Sequence, residues 1–236
     1  MSNNHSNRLP LFDIDGTILK SGNKAHHDAF TTAFQGALDI TPDLKVIRAA
    51  GMLDRNIIKE ILEMNGLSPA DHPEKIEEVL ERMRSHFTEN APDMKDRVLP
   101  GVRETLAALK EEKIPAGLLT GNVETIAWVK MQRAGLYDLL DKFGGFGDMM
   151  VTQRAELIPI AVEHANRLTG NGFKPEDVVI IGDTPRDIDC ARQGGAKVIA
   201  VATGYYPKDV LGPMNPDLLI DDMSDFGKVV DFIAGR

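Results

Sequence analysis

The sequence predicts an α/β fold, a Rossmann-like parallel-sheet core with an inserted all-helical cap, and three observations predict it. Short apolar runs, too brief for helices, alternate with amphipathic segments of helical length after residue 100. Three of those runs, Leu11–Asp15, Leu118–Asn122 and Ile180–Thr184, end in carboxylates or a hydroxyl. Between the first run and the rest, about Lys20 to Lys95, no strand signal occurs.

The first run, Leu9 to Ile14, ends in the turn signal Asp15-Gly16-Thr17 and reads as a buried parallel strand. Pro10 has no backbone donor, which places it at the strand's beginning. Ala29, Ala33, Phe34 and Ala37 then fall at helical spacing. A second helix is expected from Asp54, which can cap it, through Ile57, Ile58, Ile61 and Leu62 to Asn65-Gly66, and a third over 73–87. Past Leu99-Pro100-Gly101 the order is helix 101–112, strand 115–119, helix 123–134, an irregular glycine-rich link through 143–147, and helix 155–169. Strand 178–182, helix 186–194, strand 197–201, a short strand at Leu218–Ile220 and a helix from Ser224 close the chain. The expected division is an α/β core of residues 1–19 and 96–236 around an inserted helical domain of residues 20–95.

Composition narrows the function classes. The 236 residues are 42% hydrophobic and 27% charged, with no run near the ~20 apolar residues that a bilayer span needs. A net charge of −9 argues against a nucleic-acid partner. Cys190 stands alone, and Met1 to Arg8 is polar rather than signal-like, so the expected location is cytoplasmic and no membrane partner is expected. The state expected is a monomer or homodimer.

In a parallel sheet the carboxyl ends of all strands lie on one edge, where ligands bind. Asp13, Asp15, Thr120 and Asp183 therefore converge. A carboxylate such as Asp13 at the end of a buried strand needs a partner, and a cation would supply it. An oxygen-rich cluster without Cys or His favours Mg²⁺ over zinc. Gly16 permits close backbone approach, while Thr17, Thr120 and free N–H groups at helix starts can donate to phosphate oxygens. Arg154, just before a helix, adds positive charge.

These residues stand in an arrangement that resembles the haloacid dehalogenase superfamily of phosphohydrolases, over nearly the whole chain. Its DxDGT motif appears as Asp13-Ile14-Asp15-Gly16-Thr17, its second motif as Leu118-Leu119-Thr120-Gly121-Asn122, and its GDxxxD motif as Gly182 to Asp187. The Phe-Gly-Gly-Phe-Gly segment and Arg154-Ala155-Glu156-Leu157 are similar to the phosphoglycolate phosphatase-like branch. The third motif is usually a lysine; none lies between Lys142 and Lys174, and Arg154 is the expected substitute. The resemblance implies a Mg²⁺-dependent hydrolase of a small phosphorylated metabolite, phosphoglycolate-like, with residues 20–95 as the cap on its catalytic core. Asp13 would be the nucleophile and Asp15 the acid and base, its pKa raised in the complex so that it holds a proton. Asp13, Asp15 (through its backbone carbonyl) and Asp183 would hold the metal. Thr120, Gly121, Asn122 and Arg154 would bind the phosphoryl group, with Asp187, Thr17 and Thr184 supporting them. The alternatives are a β-phosphoglucomutase-like phosphomutase and a non-catalytic member that binds a phosphorylated ligand.

Other polar residues have plainer readings. His26 and His27, near a helix start, are expected to be solvated. Gly51 and Asp54 fit a turn and a cap, and Arg48 and Arg55 beside them could attract an anion. Trp128 and Cys190 are expected to serve packing.

Overall fold

The computed structural model describes residues 8–236; the polar N-terminal stretch discussed above lies outside it apart from Arg8. Six strands, β1 (Leu9–Phe12), β2 (Gly117–Leu119), β3 (Gly144–Gly145), β4 (Val178–Gly182), β5 (Lys197–Val201) and β6 (Leu218–Ile220), form one sheet in the order β3-β2-β1-β4-β5-β6. Every pairing is parallel. The chain moves from β1 outward to β2 and β3, then crosses back to place β4 on the other flank of β1. The crevice beside the carboxyl end of β1 is therefore the switch point of the sheet, the place where such folds bind ligands.

Period-two alternation sends the strands' side chains to two cores. On one face Leu11, Leu119, Ile180 and Val198 pack with α6 (Leu157–Thr169) and α7 (Pro185–Gly194). On the other, Phe12, Leu118, Ile181 and Ile199 pack with α4 (Val102–Glu111), α5 (Glu124–Arg133) and α9 (Phe226–Ala234). This second core continues without a break into the segment between β1 and α4, which holds α1 (Lys24–Leu38), α2 (Asp54–Met64) and α3 (Pro73–Asn90) and no strand. Buried Phe30, Phe34, Ile58, Met83 and Phe87 come from it. Its two ends are tied to one another: Lys20 N–H donates to Arg97 O, Leu99 N–H to Ile18 O, and the Arg97 side chain to the carbonyls of Lys20 and Ser21.

Four expectations need correction. The first strand stops at Phe12 rather than Ile14, although Asp13 N–H still donates to Ile181 O at 2.9 Å. The glycine-rich link contains β3, held by the ladder to β2 rather than by side chains. A short helix, α8 (Lys208–Leu211), interrupts the run before β6. Asp54 does not cap α2; that position is Leu53, and the Asp54 side chain bonds elsewhere.

Candidate active site

The turn after β1 makes the floor of the crevice. Gly16, at φ +100°, adopts a backbone conformation that L residues avoid, and a Cβ there would run into the Asp183 carboxylate. Asp13 and Asp183 are 5% and 1% exposed, and Asp187 is fully buried. Each of the three offers an oxygen within 4.8 Å of the others. Thr17 donates to Asp183 Oδ1 at 3.0 Å. Thr184 caps α7 and donates its hydroxyl to Asp187 Oδ2 at 2.7 Å, a reciprocal box that fixes Asp187 in the crevice.

Arg154 enters just ahead of α6 and is buried. Its Nη2 donates to Asp13 Oδ1 at 2.9 Å, Asp187 Oδ1 at 2.7 Å and Leu119 O at 3.0 Å, and its Nη1 to Gly51 O at 3.1 Å. Arg154 thus brings a cation into contact with both Asp13 and Asp187. Burial pushes its pKa down, but the Asp187 and Asp13 charges more than reverse this, and the guanidinium stays ionised. Burial raises the Asp13 carboxyl to about 6 against the opposing charge of Arg154. Burial and the neighbouring charges of Asp13 and Asp187 raise Asp183 to about 8. Behind Arg154 lies Cys190, a free buried thiol pushed up to about 12 by burial.

When all three are ionised, three carboxylates against one guanidinium leave two negative charges in a buried space, which is why Asp13 and Asp183 hold their protons to higher pH. A hard divalent cation with oxygen ligands fits that deficit, and the donor set suits Mg²⁺. The cluster comprises Asp13, Asp183 and Asp187; Asp15 was expected to contribute its backbone carbonyl, and its carboxylate is not a member.

Asp15 instead belongs to a second group on the other side of the turn. Its Oδ2 accepts from Lys130 Nζ at 2.5 Å and from Asn122 Nδ2 at 3.0 Å, while its Oδ1 is sheltered and has no partner. Burial alone would raise its pKa, yet the Lys130 charge and the hydrogen bonds from Lys130 and Asn122 prevail and hold it below the usual carboxylate value. In the unliganded protein the shift is therefore opposite to that expected of the complex. Lys130, on α5, is fully buried. Its other acceptors are Asn122 Oδ1 at 2.6 Å and His26 Nδ1 at 3.3 Å. His26 is not solvated, with 13% of its side chain exposed, and its Nε2 lies 3.0 Å from Asp54 Oδ2. That same oxygen accepts from Val123 N–H at 2.9 Å.

Of the remaining candidates, Gly121 and Asn122 line the crevice, whereas Thr120 is fully buried and its hydroxyl accepts from Asn122 N–H at 3.4 Å. Arg55 serves structure: it donates to Asp148 O and pairs with Glu77. Arg48 is exposed, and Trp128 packs edge-on against Tyr137 and Phe146. Lys130 was absent from the sequence reading, although a lysine inside the apolar stripe Ile126, Ala127, Met131 was its signal. His26 lies on the same stripe as Ala29, Phe30 and Ala33.

A parallel sheet with a carboxylate-lined crevice at its switch point defines an α/β protein of the kind that binds ligands at the carboxyl ends of its strands. The family described as haloacid dehalogenase-like hydrolase matches residues 11–201, and the chain belongs to it. Over 224 residues the chain is 26% identical to a phosphoglycolate phosphatase of Synechococcus elongatus, covering 93% of this chain and 95% of that protein. It is also 26% identical over 224 residues to an N-acetylmuramic acid 6-phosphate phosphatase of Pseudomonas aeruginosa, covering 94% and 93%. The fold is similar to that of a β-phosphoglucomutase from Clostridium difficile, with a TM-score of 0.66 at 18% identity and 97% of each chain covered.

Proposed function

We propose that this member of the hydrolase family is a Mg²⁺-dependent phosphomonoesterase that acts on a small phosphorylated metabolite through an aspartyl-phosphate on Asp13. The observation that carries the reading is the Asp13 carboxylate itself, buried at the switch point, held by Arg154 through Oδ1 and facing Asp183 and Asp187. In the first step an Asp13 oxygen bonds to phosphorus, the bond to the leaving oxygen breaks, and Asp15 gives that oxygen a proton. In the second, water attacks phosphorus, Asp15 takes the water's proton, and the bond to Asp13 breaks to release phosphate. Asp13, Asp183 and the Asp15 carbonyl would hold Mg²⁺, which when bound offsets the repulsion between carboxylate and phosphate. Arg154 balances charge on the transferring group, the Gly121 and Asn122 backbone receives its oxygens, and Asp187 keeps Arg154 in place.

Residues 20–95 act as the cap in this reading. Together with the core they enclose a cavity of about 300 Å³, to which they contribute Phe30, Leu44, Met52 and Ile57, with His26 and His27 as polar members. Phosphoglycolate is the first substrate to test because relatives carry that name. Among the described lining residues the cap supplies no Lys or Arg side chain for a carboxylate, so partly apolar, uncharged leaving groups are expected to be turned over at least as well. A cytoplasmic location and a monomeric or homodimeric state accompany the proposal.

The test is phosphate release from a panel of phosphoglycolate, sugar phosphates and p-nitrophenyl phosphate, with and without Mg²⁺. Release that needs Mg²⁺ and disappears in a folded Asp13→Asn variant supports the reading. Isomerisation of a sugar phosphate without release would replace it with a mutase, and silence across the panel would leave a binding role.

A further inference from the structure

The Lys130 ammonium has three N–H bonds and three acceptors: Asp15 Oδ2, Asn122 Oδ1 and His26 Nδ1. A fully buried lysine is costly unless paired and hydrogen-bonded, and here the pairing is complete. With Lys130 donating to Nδ1, the His26 proton sits on Nε2 and is given to Asp54 Oδ2, which also receives Val123 N–H. Asn122, oriented by Lys130 through its carbonyl, turns its amide nitrogen to Asp15. One oxygen of Asp15 is thereby held by two donors. The other, Oδ1, is sheltered from solvent and unpartnered, which is costly unless a reacting group completes it.

We propose that Lys130 is a positioning residue for Asp15: with Asn122 it anchors Oδ2 and reserves Oδ1 for proton exchange with the substrate's leaving oxygen, and through His26 and Asp54 it ties that orientation to the inserted helices. The inference rests on the phosphomonoesterase reading and adds to it a group that touches neither phosphate nor metal. Its position on α5, after β2, makes the helix that follows Thr120-Gly121-Asn122 a support for the acid and base as well as for the phosphate. Asn122 acquires a part in orienting Asp15 distinct from any phosphate contact.

The experiment compares kcat/KM of wild type and Lys130→Met on an alkyl phosphate and on p-nitrophenyl phosphate, both with Mg²⁺. A nitrophenolate departs without help from an acid, whereas an alkoxide does not. Loss of a positioned acid should therefore lower the alkyl rate by about 10²-fold, the lower end of what general acid catalysis contributes, and the aryl rate much less. Inhibition by magnesium beryllofluoride, which adds to Asp13 and needs no proton from Asp15, should be unchanged. Equal losses on both substrates, or none, overturn the proposal. If Lys130→Met does not fold, Lys130→Arg is measured instead. Its planar fork cannot meet all three acceptors, so the alkyl-to-aryl ratio should fall in the same sense, and an unchanged ratio overturns the proposal. A wild type inactive on every phosphomonoester rejects the phosphatase reading and this inference with it; an active wild type with an unshifted ratio rejects the inference alone.

Discussion

Arg154 is the only cation among the described residues in contact with Asp13, and it also bonds Asp187 and two backbone carbonyls. Arg154→Met would strand two buried carboxylates, and the expected cost is about 3–5 kcal/mol, read as a lowered denaturant midpoint in the metal-free protein. Saturating Mg²⁺ should recover part of it; an unaltered midpoint would mean the ion pairs contribute nothing. Gly16→Ala places a side chain against Asp183 at φ +100° and should abolish phosphate release by more than Thr17→Ala, which removes one hydrogen bond. At this scale the acidic residues were legible because the DxDGT and GDxxxD patterns print them at strand ends. Lys130 and His26 were not, because each hides in an apolar helical stripe where the partner that makes burial tolerable lies on another element.

The elements legible in the sequence were those that carry their own signal: alternating or continuous apolar strands, and helices with capping residues and a stripe. β3 was missed because a Gly-Gly pair has no side chains to show periodicity and owes its extended form to the β2 ladder. The N-terminus of α2 shows a different failure. Asp54 has the residue type of a cap but spends its carboxylate on Val123 N–H and His26, while its backbone N–H donates to Gly121 O at 2.7 Å. Tertiary contact overrode local chemistry, and α2 is docked by its first residue onto the loop after β2. Asp54→Ala should therefore act at a distance from the phosphate. Leaving a buried donor unpaired costs about 1–3 kcal/mol, and KM should rise more than kcat falls. A kcat loss alone would place Asp54 outside substrate enclosure.

For the whole molecule, the carboxylates set the pH dependence of stability. Asp13 and Asp183, raised to about 6 and about 8, contribute stability that is complete below the ordinary carboxylate range near 4 and lost as pH rises through those values. Asp15, held low, contributes above that range and loses its contribution as pH falls through its depressed folded value. Metal-free protein should thus be most stable at about pH 4, its melting temperature declining from there toward pH 9, and Mg²⁺ should flatten the decline. A melting temperature that rises from pH 6 to 9 without metal would contradict the burial of these groups. One continuous core joins the inserted helices to the face of the sheet that carries Phe12, so unfolding should be a single transition rather than two. The lone thiol of Cys190, shut behind Arg154 and held at about 12, adds a clock to this picture. Cys190 lies beside Gln153, Ala155, Arg186 and Gln193, where α7 meets the start of α6. A disulfide reagent reaches its sulfur only when that contact opens locally, so its labelling rate counts those openings, and a ligand that fixes Arg154 should slow the count without touching the cysteine.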